Sequence, residues 1–593
     1  MKTITRILVI MLLVLCLFQG TDLYVWTGSM LYLVIIFLFI FSAIASFKTN
    51  ASLKINVPEI LIIIYIIYLI ANNSFKGTFR DNKQLLDYLI SFSLYFPLSY
   101  LYKNDKEIPK FIFYGIFAGF SIELIVGFGQ LFGVIENSNS EFILGGLFKN
   151  PGALAGYMAI SFPILLSGVF IYKKLFKSEN LLYSVFLCLC CSVCLLILCD
   201  SRGAWIAVFL STAFIVDYKF KIIRFTIDHL KTKVSKWVTG IVLMFSVIFL
   251  CFVLYQYKAD SAFGRLFIWK TSKTMILDKP ISGNGFGFFS ENYGKIQSQY
   301  FLSNNATEKE IQVADYVTCA YNEFLKMLIE SGIIGLFLFL SIMYCAFIKR
   351  NNKKNKFIIA AKASLLSFIV LCIVSYPFSL MSNQLIMMIC LVVLFAVNDF
   401  KTYTITGYRK IIISAGLLCI FTLLFFGYRQ LYGMSHFHNG YAKVFSGDIN
   451  NGINEYKKAY PFLKYNGEFL FYYGSAYYLK QDFSASIKYL QEATTISSDP
   501  HAFITLGNSL KELKRYKEAE QSYKTASGIT PSELYPKYLL SKLYVEMHET
   551  GKAIKMAKLI IKKKEKVVTT AGMQIKKEMN DLIDQNNKPV TKF

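Results

Sequence analysis

Residues 30–46 read Met30-Leu31-Tyr32-Leu33-Val34-Ile35-Ile36-Phe37-Leu38-Phe39-Ile40-Phe41-Ser42-Ala43-Ile44-Ala45-Ser46, a run without a charged residue. As an α-helix it is about 25 Å long, close to the hydrocarbon thickness of a bilayer. Similar runs lie at 6–19, 57–72, 85–102, 111–133, 153–172, 181–199, 203–218, 237–256, 325–348, 363–378, 384–398 and 410–427. With the first they make about thirteen spans. Of 593 residues, 55% are hydrophobic, 16% aromatic and 17% charged. Mean hydropathy is +0.45, the balance of a polytopic membrane protein. The expected fold class is all-α: a polytopic transmembrane helix bundle over 1–428, then a soluble region. Lys2 and Arg6 precede the first run, as in a signal peptide. No small-x-small site follows, and Leu13-Val14-Leu15-Cys16 is a poor lipobox, so a retained helix is expected.

Lysine and arginine set the orientation. With the N-terminus inside, the inner loops carry Lys48 and Lys54, Lys103 to Lys110, Lys173 to Lys177, Lys219 to Lys236, Lys349 to Lys362, and Lys401 to Lys410. That is about 25 cations, against about five in the short outer loops (Lys76, Arg80, Lys83, Lys149, Arg202). The expected location is a bacterial inner membrane, with the N-terminus cytoplasmic and everything after residue 428 extracytoplasmic. The net charge of +25 is thus mainly an orientation signal. It is spread over many short turns and is not a nucleic-acid footprint. Twelve cysteines are present, almost all inside spans, and none lies in 433–593. Cys188, Cys190, Cys191 and Cys194 cluster mid-helix without a nearby histidine, which reads as small apolar packing.

After Arg429 the chain is rich in Lys, Glu and Tyr, and a period of 33–34 residues appears. Gly440, Gly474, Gly507 and Ser541 occupy one position; Tyr456, Leu490, Tyr523 and Ala557 lie sixteen further on; Ala459, Ala493, Ala526 and Ile560 nineteen on. The third copy adds Ala519 and Pro531. The pattern resembles tetratricopeptide repeats, pairs of helices that stack into a solenoid. The resemblance implies an α-solenoid over 433–593 and a protein partner.

Between two of the spans lies a polar stretch at 257–322. Long ordered loops in compact proteins usually carry function. Four short segments stand out: Gly146-Leu147-Phe148-Lys149-Asn150-Pro151-Gly152-Ala153-Leu154-Ala155-Gly156-Tyr157; Asp200-Ser201-Arg202-Gly203-Ala204-Trp205; Gly264-Arg265-Leu266-Phe267-Ile268-Trp269; and Tyr321-Asn322-Glu323-Phe324-Leu325 with Glu330-Ser331-Gly332-Ile333-Ile334-Gly335. Gly283-Asn284-Gly285-Phe286-Gly287 looks like a phosphate loop. Without a preceding strand it reads better as a flexible turn. In order and spacing the four segments resemble the O-antigen ligase and polymerase superfamily, over residues 140–345. The resemblance implies transfer of a glycan from an undecaprenyl-diphosphate carrier to an acceptor hydroxyl on the outer face of the inner membrane. The acceptor is left open among a lipid A core sugar, a growing glycan and a protein.

By that resemblance Arg202 and Arg265 contact the donor. Guanidiniums suit a departing diphosphate: they remain charged and bind it bidentately, and a half-dry site strengthens the attraction. Lys149, Asn150, Trp269 and Asn322 are expected to bind substrate. Many relatives carry a histidine, thought to be the general base, where this chain has Tyr321. The five histidines, His229, His436, His438, His501 and His548, all lie outside the loop. Asp315, Tyr321, Glu323 and Glu330 are the alternatives, with Glu323 first, since a carboxylate raised by burial is the better base near neutrality. No Asp-x-Asp pair occurs, so no metal or cofactor is expected. Two other classes stay open: a transporter of lipid-linked glycan, against which stand the lack of an inverted repeat and of a charge buried mid-span, and a membrane-anchored scaffold.

Overall fold

The computed structural model describes residues 2–20, 24–48, 53–77, 82–137, 139, 141–171, 179–222, 232, 237–238, 241–242, 245, 256–303, 306–348, 357–398, 400–405, 407–563 and 569–587. Among these the elements are helical except for one antiparallel pairing, Leu53–Asn56 with Thr402–Ile405. Nine described helices are long and apolar enough to cross a membrane: Val25–Lys48, Val57–Phe75, Ile108–Leu131, Pro151–Phe170, Glu179–Leu198, Arg202–Phe220, Glu323–Phe347, Phe357–Val374 and Arg409–Phe445. The other expected spans differ. Run 6–19 is the 14-residue helix Lys2–Leu15, and 384–398 is the 17-residue helix Met381–Val397. Run 85–102 is broken into Lys83–Ser93 and Tyr95–Asn104; Pro97 cannot donate the helical bond that would join them. Run 237–256 lies largely outside the described residues. Run 363–378 stops early, at Val374, because Pro377 pushes its neighbour out of the helical region.

The chain forms two compact units. The first comprises Met1–Tyr257, Pro280–Phe286 and Tyr321–Leu431; the second comprises Lys258–Lys279, Gly287–Ala320 and Tyr432–Phe593. The expectation that no charge is buried mid-span needs correction. Glu123, inside Ile108–Leu131, is 0% exposed. The cost of burying a carboxyl is partly met by Leu147, whose N–H donates to Glu123 Oε2 at 3.1 Å. Gln130, two turns on, receives the N–H groups of Gly145 and Gly146 at 2.9 and 2.8 Å. These two polar side chains hold the 145–148 bend, so Glu123 has a structural use. Gly146 must be glycine: its φ is +61°, and a Cβ would stand 2.2 Å from Glu123 Oε2.

In the second unit the repeat pattern becomes packing. Helix pairs Gly467–Leu479/Phe483–Ile496, Pro500–Glu512/Tyr516–Ile529 and Tyr535–Glu546/Thr550–Lys562 follow Ile449–Leu463. In the first three copies the small residue faces the bulky one sixteen further on. A Cβ on Gly440 would meet the Tyr456 ring at 2.6 Å, on Gly474 Leu490 at 2.6 Å, and on Gly507 Tyr523 at 2.5 Å. In the fourth copy Ser541, fully buried, donates to the Ala553 carbonyl at 3.1 Å. The glycines let paired helices touch, and the alanines at 459, 493 and 526 are fully buried between them. Three helices of the 257–322 stretch, Ala259–Asp278, Phe288–Leu302 and Glu308–Val313, belong to this unit.

Candidate functional site

Three of the four segments meet in the first unit, at the turn 374–379. Each is built alike: a non-glycine residue in the left-handed region, then an N-cap, then a helix. Lys149 has φ +59°, Asp200 +50° and Tyr321 +51°. Such residues are uncommon, and backbone strain concentrates where function needs it.

Asn150 follows Lys149. Its Oδ1 accepts the N–H groups of Gly152 and Ala153 at 2.9 and 3.2 Å, capping the helix Pro151–Ile171. The same oxygen accepts the Tyr376 hydroxyl at 3.0 Å. A Cβ on Gly152 would lie 3.1 Å from that hydroxyl. The Tyr321 ring meets the Tyr376 ring edge-on at 5.6 Å. Asn322 caps the next helix by accepting Leu325 N–H at 3.0 Å. Glu323 is 3% exposed, and its Oε1 accepts the Phe378 N–H at 3.2 Å. Arg202, half-buried, is the first residue of the helix Arg202–Phe220. Its neighbour Gly203 is pressed on Val374, where a Cβ would meet a methyl at 2.9 Å. Trp205 locks the turn by donating to the Leu196 carbonyl at 2.7 Å. Thus residues near 150, 202 and 321 share one neighbour, the 374–379 turn. The helices that begin at Pro151, Arg202 and Glu323 thus have their N-terminal ends, the positive ends of their dipoles, near this turn.

The glycine-rich segment is tied into the first unit by its backbone. Three of its five amide hydrogens are already used: Asn284 N–H donates to the Ile329 carbonyl at 2.8 Å, Gly285 N–H to the Glu330 carbonyl at 2.9 Å, and Phe286 N–H to Asn73 Oδ1 at 2.7 Å. The segment fills a break in the helix Glu323–Phe347, where Gly332 has φ +65°. There Ile333 N–H donates to the Pro280 carbonyl at 3.0 Å. On the other side Asn72 Nδ2 and Lys76 Nζ donate to the Ser282 carbonyl at 2.9 and 2.7 Å. A small cavity of about 50 Å³ opens beside it, walled in part by Asp87, Phe286, Glu323, Lys326, Glu330 and Gln384. Three carboxyls from two helices line this cavity and give it acid–base capacity.

Arg265 and Trp269 lie in the second unit, on the helix Ala259–Asp278. The Trp269 indole N–H donates to the Ala320 carbonyl at 2.9 Å. The sequence reading missed Tyr376 and Asp87. A lone Asp inside an apolar run and a tyrosine beside a helix-ending proline were the available signals.

The O-antigen ligase family model matches residues 186–340. A tetratricopeptide repeat model matches 500–533. Two curated relatives bear the name "Putative polysaccharide ligase". That of Rickettsia felis is 33% identical over 21% of this chain and 29% of its own length. That of Rickettsia conorii is 32% identical over 21% and 28%. The chain therefore spans under a third of these relatives. Among solved structures, MamA is matched at 20% identity over 25% of this chain and 96% of that one, with a TM-score of 0.21. The APC/C hetero-tetramer Cut9–Hcn1 is matched at 11% identity over 85% and 76%, with a TM-score of 0.22. The chain is a multi-pass membrane protein whose residues 186–340 are similar to the O-antigen ligase family, followed by tetratricopeptide-like repeats.

Proposed function

We propose that this protein transfers a glycan from a lipid-diphosphate-linked donor to an acceptor hydroxyl, as a ligase of O-antigen type, on the outer face of the bacterial inner membrane. The observation that carries the proposal is the convergence of residues near 150, 202 and 321 on the turn 374–379. Segments far apart in sequence share one neighbour. The donor's carbon–oxygen bond to the diphosphate breaks as the acceptor oxygen bonds to the anomeric carbon. Arg202 and the helix ends beside it stabilise the charge that collects on the leaving diphosphate. For Arg265 the sequence pattern supports a donor-binding role as well. Lys149 adds charge, and Asn150 and Tyr321 set the shape of the site through Tyr376. Trp269, its indole N–H engaged by Ala320, orders the loop.

Glu323 is the carboxylate adjoining Asn322, but its bond to Phe378 suits it to holding the turn. Asp87 and Glu330 line the same cavity and are the alternative proton acceptors. Bilayer lipid and a lipid-linked glycan are the expected partners. The acceptor is a lipid A core sugar, a growing glycan or a protein. The test is transfer by purified protein from an undecaprenyl-diphosphate glycan to each acceptor class. Product from wild type, and its loss in Arg202→Ala and Arg265→Ala, supports the reading. No product from wild type with any acceptor overturns it.

A further inference from the structure

Repeats of this kind imply a protein partner. Within the second unit, however, one edge of the solenoid is occupied by this chain's own loop. The helix Phe288–Leu302 lies against the ends of the helices Phe483–Ile496 and Tyr516–Ile529. Gly294 N–H donates to Ser498 Oγ at 3.3 Å, and Ser498 Oγ donates to the Ser290 carbonyl at 3.3 Å. Lys295 Nζ donates to the Thr495 carbonyl at 2.7 Å. Gln297, 1% exposed, links three segments: its Nε2 donates to the Ile529 carbonyl at 2.6 Å and to the Asp315 carbonyl at 3.0 Å. The backbones approach closely: a Cβ on Gly528 would meet Ser298 Oγ at 2.3 Å and Ser298 Cα at 2.7 Å. Tyr316, next to Asp315, is hydrogen-bonded to Ser497, and burial pushes its hydroxyl up to about 12.

From that helix the contacts continue to the one bearing Arg265. Thr271 Oγ1 donates to the Tyr293 hydroxyl at 3.0 Å, and Phe267 packs on Tyr300 and Phe301, each at 5.5 Å. Lys270 reaches Tyr300 at 3.0 Å and Glu310 at 2.8 Å. Bonds to main-chain carbonyls that helix ends leave unpaired fix position without demanding a particular side chain on the repeat.

We infer that the partner of the repeat edge at Thr495–Ser498 and Gly528–Thr530 is the chain's own external loop, and that the repeats mount the Arg265 helix for transfer, with Gln297 as the positioning residue. This rests on the proposed glycan transfer for its consequence, but not for its geometry. It makes the repeats necessary with every acceptor, rather than selective for one.

The test uses full-length protein in nanodiscs, comparing wild type with Gln297→Leu and Gly528→Leu. Amide hydrogen exchange is followed over 288–320, and kcat and KM for the lipid-linked donor are measured with two acceptor classes. The mount predicts at least tenfold faster exchange at 288–302 in both variants. It predicts at least a tenfold fall in kcat, equal for both acceptors, with the exchange of 535–562 unchanged. Unchanged exchange at 288–302 overturns the mount. Faster exchange with full transfer, or loss with one acceptor only, overturns its positioning role. Absence of transfer in wild type defeats the functional reading, while the exchange data still decide the mount.

Discussion

Arg202 opens its helix, a position where the dipole disfavours a cation by a few tenths to about 1 kcal/mol. Asp200, two residues earlier, offsets part of that cost, and a bound anion at the same helix end would offset more. Arg202→Ala is predicted to lower kcat/KM for the lipid-linked donor about 100-fold or more, as for loss of one preorganised charge donor. Arg202→Lys is predicted to recover only part, since an ammonium cannot bind two oxygens in a fork. Asn150 tests the site from the opposite side. Asn150→Ala removes a helix cap, worth about 1 kcal/mol, and releases the Tyr376 hydroxyl. The expected result is a lower Tm in detergent together with reduced transfer; Tyr376→Phe should reduce transfer with a smaller change in Tm. Arg202 was legible in the sequence because a cation in a short outer turn runs against the charge bias. Tyr376 was not, because its meaning comes from residues distant in sequence, among them Asn150, 226 residues away, and Tyr321.

At the scale of elements, the segment 280–286 shows how backbone geometry overrides a motif. Glycines at 283, 285 and 332 all have positive φ. They permit main-chain contact: a Cβ on Gly283 would lie 2.4 Å from the Glu330 carbonyl carbon, and one on Gly332 2.2 Å from the Ile281 oxygen. Gly283→Ala and Gly332→Ala are each predicted to destabilise the protein by about 1–3 kcal/mol, seen as a lower Tm. A glycine run suggests a loop for phosphate or flexibility; that its amides would be consumed by a distant helix break was not readable locally. The loop helices carry a pH prediction. Burial alone would raise the Glu310 carboxyl, but Lys270, Thr307 and Tyr300 outweigh it and hold it down at about 2. A depressed carboxylate adds stability above its unfolded pKa of 4.5, and this is lost as pH falls toward about 2. Glu310→Gln should therefore raise exchange at 306–313 at pH 7, and the difference from wild type should shrink as pH is lowered below 4.5.

For the whole molecule, the helical character and the repeat were legible because both rest on local periodicity: apolar runs of bilayer length, and small residues sixteen positions from large ones. The grouping of the loop with the repeats was not, because Gln297 finds Ile529 through 232 residues of intervening chain. Removing 433–593 is accordingly predicted to abolish transfer to every acceptor, measured as product formed with each acceptor class. The central claim is that Arg202 belongs to a glycan-transfer site assembled on the 374–379 turn. The most direct measurement is transfer of glycan from a purified undecaprenyl-diphosphate donor by wild type, Arg202→Ala, and Lys221→Ala as a control at the other end of the same helix. The account predicts product from wild type and Lys221→Ala, and about 100-fold less from Arg202→Ala. Equal product from all three would contradict it.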